Sequence, residues 1–230
     1  MTVASLAAKL DAAKVPVEVH ATDTNCALAI VETRRLPHLP AVISTAVACH
    51  PGWPLYVFAP PDVHDFLQCN VSGYHKVTLG VERMTTKEYS RLLLSEAFWR
   101  VFREQHVLVF QSDCVIVRAV PSRYFQFDYV GAVCGTLDPR MFVMNGGLSL
   151  RNTEAMLRAL TLMDEDLMSQ PEDVAFCAVL RRGGFTVPTM EECDRFAIES
   201  QGNPSTAIGI HGTDKSYAPP ELIDELCRYT

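Results

Sequence analysis

None of the eight cysteines forms a C-x-x-C pair, which argues against a zinc ribbon. No lysine or arginine run stands out either. Arg34-Arg35 and Arg181-Arg182 are isolated pairs in a chain of net charge -7 and pI near 5.5. A protein that grips a nucleic-acid backbone carries a basic patch, so no nucleic-acid partner is expected. The apolar runs fall far short of a membrane span. The opening MTVASLAAKLDAAK is too charged and too poor in apolar residues for a signal peptide, so a cytoplasmic chain is expected. Its Leu6/Leu10 spacing suggests a peripheral amphipathic helix instead. No G-x-G-x-x-G follows the first strand and no Walker A motif occurs, which disfavours dinucleotide and P-loop sites. Repeats, low-complexity segments and linkers are absent as well. The 230 residues therefore read as a single domain, with a helical extension over 1–20 and a terminal helix over 216–230.

What is present alternates. Cys26 to Val31 is a continuous apolar strand, and Pro37 opens a helix that runs to His50. Pro54 to Ala59 is the next strand, and Pro60-Pro61-Asp62 starts a short helix. Tyr74 to Leu79 is a further strand. Strand-helix-strand-helix order is the signature of an α/β fold with a mostly parallel sheet flanked by helices. Thr85 and Glu88 stand at capping-box spacing and open a long helix through Val101. Arg91 shares a face of it with Leu94 and Phe98, so its head either reaches solvent or is drawn inward toward an anion. Pro121 to Phe125 reads as a short helix and Tyr129 to Val133 as a strand. Gly146-Gly147 interrupt a strand within 142–152, and Asn152 or Thr153 caps the helix that follows. Asp164-Glu165-Asp166 reads as a solvated acidic surface, and Pro171-Glu172-Asp173 begins a helix. Phe196 to Ser200 reads as a short edge strand, and Ala207 to Ile210 as a strand that ends at His211-Gly212. With no secretory signal, the cysteines are expected as free thiols in a reducing compartment.

One stretch organises the chain. Val107-Leu108-Val109-Phe110 is short, β-branched and without helical period, and so reads as a buried strand. It runs into Gln111-Ser112-Asp113, and Cys114-Val115-Ile116-Val117 follows without a break. A carboxylate between two buried runs is costly unless a metal, a cation or hydrogen bonds compensate it. In open α/β sheets the carboxyl ends of central strands are where ligands bind. Asp113 is therefore expected to face a charged ligand through a divalent cation.

The motif order resembles GT-A-fold glycosyltransferases. Tyr89-Ser90-Arg91-Leu92, an apolar strand and Gln111-Ser112-Asp113 look like their Y-x-R-L helix followed by D-x-D. Asn145-Gly146-Gly147 with Arg151-Asn152 is similar to the N-[SAG]-G-x-x-x-x-N strand of that group. Pro171-Glu172-Asp173 falls where the fold places D-Q or E-D. His211-Gly212-Thr213-Asp214-Lys215 resembles, in shortened form, the H-x-x-G-x-x-K turn of glycogenin-like enzymes. The run also looks like a family of uncharacterised bacterial, fungal and viral proteins assigned to this fold.

The resemblance implies a GT-A-like, Rossmann-type sandwich. Its activity would be that of a hexosyltransferase acting on a nucleoside-diphosphate sugar, a UDP-sugar for preference, with a glycan, protein or small-molecule acceptor. Asp113 and His211 would hold Mn²⁺ or Mg²⁺, the histidine favouring Mn²⁺. Arg91 would hold Asp113 or the donor, and Lys215 a phosphate. Glu32, Thr33 and Arg35 would meet the base or ribose. Gln111 and Ser112 would border the diphosphate, and Asn145, Gly146 and Gly147 would leave room for the hexose. Glu172 and Asp173 are the candidates for a general base, with Asp173 favoured. The departure from pattern is Gln111, where D-x-D has a carboxylate. It can offer a cation only a neutral carbonyl, so a catalytically silent sugar-nucleotide-binding module is the alternative. A nucleotidyltransferase ranks below both, because the loop after the first strand has two arginines but no glycine.

Overall fold

The structure, a computed structural model, describes residues 16–22, 25–134 and 142–212. The expected helices within 1–15 and 216–230, the loop 135–141, Lys215 and Cys227 lie outside the described residues. The strands are β1 (Val17–Glu18), β2 (Cys26–Val31), β3 (Leu55–Ala59), β4 (Val71–Ser72), β5 (His75–Thr78), β6 (His106–Phe110), β7 (Val115–Ile116), β8 (Tyr129–Cys134), β9 (Val143–Asn152) and β10 (Gly209–Ile210). The helices are α1 (Leu39–Cys49), α2 (Pro61–Gln68), α3 (Thr86–Leu93), α4 (Glu96–Trp99), α5 (Thr153–Leu160), α6 (Glu165–Met168), α7 (Glu172–Arg182) and α8 (Met190–Phe196), with a 3₁₀ turn over Ser122–Gln126.

The main sheet runs β5-β3-β2-β6-β9-β8. Its β5, β3, β2 and β6 pair in parallel, whereas β9 is antiparallel to both β6 and β8. This is the expected α/β architecture, a central mostly parallel sheet flanked by helices. Strands β2 and β3 are apolar along their whole length, and β6 from Val107 on, because both faces are covered. Ala27 to Ile30 and Val107 to Phe110 are fully buried. From β2 the chain moves outward through β3 to β5, then crosses back to place β6 on the other side of β2. The carboxyl ends of β2 and β6 thus flank the point where the strand order reverses, which is where such sheets open a crevice.

Four local expectations need correction. The helix from Thr85 does not reach Val101: it stops at Leu93, and α4 starts anew behind Ser95. The Ser95 hydroxyl donates back to the Leu92 carbonyl at 2.6 Å and accepts from Phe98 N at 3.3 Å, which competes with helix continuation. Second, Gly146-Gly147 do not end their strand: β9 runs through them, but between Gly131 and Val133 of β8 its register jumps from Ser149 to Met144, so the surplus residues, both glycines among them, bulge from β9. Third, Phe196 ends helix α8, which Thr189 and Glu192 open with a capping box, and only Ile198 makes a bridge, to Ile210. Fourth, part of the expected extension over 1–20 is a strand, β1, paired with β4.

The capping box at Thr85 and the Asn152 cap of α5 stand as the sequence implies. The seven described cysteines are free thiols; Cys114, Cys177 and Cys193 are buried and Cys69 is exposed. Among the described residues no helix is long and apolar enough to cross a membrane.

Candidate functional site

The crevice between β2 and β6 holds a cavity of about 470 Å³, within the range of small-molecule sites. The residues after β2 (Glu32, Thr33, Arg34) and after β6 (Gln111, Ser112, Asp113) line it, and α3 contributes Thr86 and Tyr89.

Glu32 is buried and organises the β2 side. Its Oε1 accepts from the backbone N–H groups of Thr33 and Arg34 and from Arg34 Nε, each at 2.9 Å. Its Oε2 accepts from Arg34 Nη2, also at 2.9 Å. Burial pushes the Glu32 carboxyl up. The hydrogen bonds of Arg34 and Ser112 and the Arg34 charge outweigh that and leave it below the ordinary glutamate range. The same guanidinium reaches Ser112 Oγ at 3.2 Å and so bridges the two strand ends. Thr33 is fixed by Met84 N–H on its hydroxyl and by Arg83 on its carbonyl.

Sequence reasoning chose Arg35. That residue is exposed, lies 3.5 Å from Asp62 on α2 and does not line the cavity. No strand period singles out Arg34, because the chain turns here with the backbone N–H groups of Thr33 and Arg34 both on Glu32 Oε1. Arg91 is exposed on α3 and lines a separate depression with Lys87 and Met168, away from Asp113. Its exposure agrees with the alternative in which the head reaches solvent. From the same motif it is Tyr89 that reaches the cleft. The Tyr89 hydroxyl is buried without a hydrogen-bond partner, and burial pushes its pKa up.

On the β6 side, β7 pairs with β10 and carries the chain back to His211. His211 is 3% exposed. Its Nε2 stands 3.1 Å from Gln111 Oε1 and 3.4 Å from Asp113 Oδ1. Its Nδ1 stands 3.3 Å from Glu199 Oε1. Burial opposes a charge on His211, but the hydrogen bonds and charges of Asp113 and Glu199 outweigh it and raise its pKa above the ordinary histidine value.

Asp113, Cys114 and His211 are close enough together to share a metal ion. The Cys114 thiol instead donates to the Gly147 carbonyl at 2.9 Å, inside the core. Gln111, Asp113 and His211 offer a cation two oxygens and one nitrogen. The 3.1 and 3.4 Å separations are those of a hydrogen bond and an ion pair, and they also equal the roughly 3.0–3.4 Å between two ligands that share one ion at about 2.1 Å, so the donor set is compatible with a divalent cation.

The strand β9 joins this group to the helix that carries the candidate base. Asn145 Nδ2 donates to Glu199 Oε1 at 2.9 Å, and its Oδ1 accepts from Gly147 N at 2.6 Å. The glycines have a use the sequence did not reveal. A Cβ at Gly147 would lie 2.1 Å from His211 Nε2, and one at Gly146 would lie 1.9 Å from Glu172 Oε1. Their missing side chains make room for protein groups, where space for a hexose was expected.

Glu172 is buried in a two-pronged ion pair with Arg151, at 2.7 and 3.1 Å. Arg151 is wholly buried, with its guanidinium 4.5 Å from the centre of the Tyr129 ring. It also donates to Ser149 Oγ and to the Gly146 carbonyl. Burial raises the Glu172 carboxyl above the ordinary glutamate range, with Arg151 opposing it only in part, while Glu172 outweighs burial to keep Arg151 charged. Asp173, next along, is half-buried and accepts from Gly146 N at 3.4 Å. Of the two adjacent carboxylates, Glu172 is committed to Arg151 and Asp173 is not. Besides Arg34, the charged residues Arg151 and Glu199 were given no role by sequence reasoning. Each has the signal that singled out Asp113, a charge directly after buried apolar residues.

No curated protein matches the chain in sequence. Among solved structures it is similar to the glycosyltransferase GlyE of Streptococcus pneumoniae TIGR4, with 13% identity, a TM-score of 0.45, and coverage of 74% of this chain and 46% of that one. The apo form of GlyE gives 11% identity, a TM-score of 0.47, and coverage of 77% and 47%. The chain thus spans less than half the length of these structures. A family model described as "Protein of unknown function (DUF5672)" matches residues 78–211, from the end of β5 to His211, and the chain belongs to that family.

Proposed function

We propose that this protein is a glycosyltransferase that moves a sugar from a nucleoside-diphosphate sugar, by preference a UDP-sugar, to an acceptor hydroxyl. One observation carries the reading: a cleft lined by Arg34 and a carboxylate–imidazole–amide group, Asp113, His211 and Gln111, meet at the strand-order reversal of a mostly parallel sheet. The motif order from Tyr89 to His211 supports it. Arg34 would contact the donor diphosphate, and Glu32 and Thr33 its ribose or base. Asp113 and His211, with Gln111, would hold Mn²⁺ or Mg²⁺. Such an ion supplies positive charge against the leaving diphosphate. Asp173 is the residue proposed to take the acceptor proton, or to support the sugar face if configuration is retained. Glycan, protein and small-molecule acceptors all suit the scheme.

Gln111 favours a second reading. A neutral amide where a carboxylate would bind metal is also what a silent nucleotide-sugar-binding module would carry. A thermal-shift panel of nucleotides and nucleotide sugars, with and without Mn²⁺, tests both, because a ligand of the native state raises its stability. The transferase reading expects nucleoside diphosphates to raise the melting temperature, more so with Mn²⁺, and their sugars to be consumed. A shift without consumption favours the silent module. Failure of every nucleoside diphosphate to shift the melt overturns both.

A further inference from the structure

Glu199 has no role in the reading above, yet it is a carboxylate only 4% exposed. The segment that carries it is already held by its backbone: Ile198 N donates to Gly209 O at 3.0 Å and His211 N to Ile198 O at 2.9 Å. Those bonds set residues 198 and 211 side by side without the Glu199 side chain. Burying an unused carboxylate is costly. Its Oε1 meets two groups, Asn145 Nδ2 at 2.9 Å and His211 Nδ1 at 3.3 Å. Its Oε2 is buried with no hydrogen-bond partner, and His211 Nδ1 has no partner of good geometry. The imidazole thus presents Nδ1 to Glu199 and Nε2 to Asp113 and Gln111.

We propose that Glu199 is a positioning residue for His211: standing 3.3 Å from Nδ1, its carboxylate would keep the proton on that nitrogen when a divalent cation displaces the one on Nε2, so that the imidazole meets the cation through Nε2 beside Asp113 and Gln111. The proposal rests on the reading that Asp113 and His211 hold such a cation. Asn145 completes the arrangement. Its amide fixes Glu199 Oε1, and its carbonyl oxygen fixes the Gly147 backbone, where a side chain would strike His211. Histidine ligands to metals commonly donate their second ring N–H to a carboxylate, and loss of that partner costs about 10–100-fold in metal affinity.

The test is calorimetric titration of the full chain with Mn²⁺ alone, and separately with UDP in the absence of metal. Glu199→Gln keeps the shape and removes the charge. It is expected to bind Mn²⁺ about 10–100-fold more weakly than the wild type while its metal-free UDP affinity is unchanged. Equal Mn²⁺ affinity in a cooperatively melting Glu199→Gln overturns the proposal. So does a parallel loss of metal and UDP binding, which would mark Glu199 as merely structural. If Glu199→Gln does not fold, Asn145→Ser removes the amide that holds the carboxylate and leaves the carboxylate in place. It is expected to weaken Mn²⁺ binding by a smaller factor, and wild-type affinity there overturns the proposal. A wild-type chain that binds no Mn²⁺ overturns the metal reading itself and this proposal with it; that outcome is distinguished by appearing before any substitution.

Discussion

Replacing Glu172 with glutamine leaves the Arg151 guanidinium charged in a place where nothing is exposed. In the wild type two oxygens of Glu172 take two guanidinium nitrogens at 2.7 and 3.1 Å, and the other contacts include Ser149 Oγ, the Gly146 carbonyl and the Tyr129, Trp99 and Phe176 rings. The neutral amide can accept one of those bonds but opposes the other with an N–H. Removing one partner of a buried ion pair costs about 3–5 kcal/mol. For a chain of this size that is roughly 6–20 °C in melting temperature, and a large part of a total stability of about 5–15 kcal/mol. Urea denaturation followed by tryptophan fluorescence is the direct assay, because Trp99 is fully buried and 5.7 Å from Arg151. A midpoint within error of the wild type refutes the reasoning that Arg151 depends on Glu172. A double substitution, Arg151→Met with Glu172→Leu, recovers much of the loss, since replacing a buried pair with apolar residues is often neutral.

Three further outcomes follow from particular contacts. Gly147→Ala places a Cβ 2.1 Å from His211 Nε2; it is expected to lose about 1–3 kcal/mol in urea denaturation and any added melt shift from Mn²⁺ with UDP. Arg34→Gln removes a charge that bridges the two strand ends, and calorimetry is expected to show UDP affinity down by about tenfold or more. Arg35→Gln leaves that affinity unchanged, and an equal loss in both variants contradicts the placement of Arg34. His50, His64 and His106 are held by burial below the ordinary histidine pKa. His50 donates from Nδ1 to the Ala46 carbonyl and accepts the Val120 N–H at Nε2, which only a neutral ring can do. The unfolded chain therefore takes up protons first as pH falls. Stability from these residues is complete above about pH 6.5 and is lost below it. His211, whose pKa is raised, contributes in the opposite sense, so the test is the difference between the wild type and His50→Gln: the wild-type urea midpoint is expected to lose more from about pH 7.5 to 5 than the variant's, and parallel profiles contradict the assignment.

The sheet was legible because its strands are short apolar runs between strong stop signals. Cys26–Val31, Leu55–Ala59 and His106–Phe110 are buried in the centre, so patterning alone found them. Asp113 was legible for the opposite reason, a charge where burial was expected. His211 was named from a motif, and its neighbours confirm only that it sits beside Asp113 and Gln111. Other features depend on which chain segment arrives opposite, and no local pattern encodes that. Gly146 and Gly147 signalled a close approach, but the approaching groups come from Glu172 and His211, far along the chain. The Ser95 break was missed because apolar periodicity runs on through Phe98, while the hydroxyl that stops the helix acts on the backbone. Glu199 follows apolar residues as Asp113 does, but its segment was taken for an edge strand, where a charged residue looks solvated. Pairing of residue 198 with residue 210 is what buries it.

The central claim is that the cleft between β2 and β6 binds and activates a nucleotide sugar through Asp113. The most direct measurement is release of UDP from a panel of UDP-sugars with Mn²⁺ and no added acceptor, where water takes the acceptor's place. The account predicts slow release from at least one donor by the wild type, and loss of that release in Asp113→Ala. Release that persists in Asp113→Ala, or no release from any donor, contradicts it.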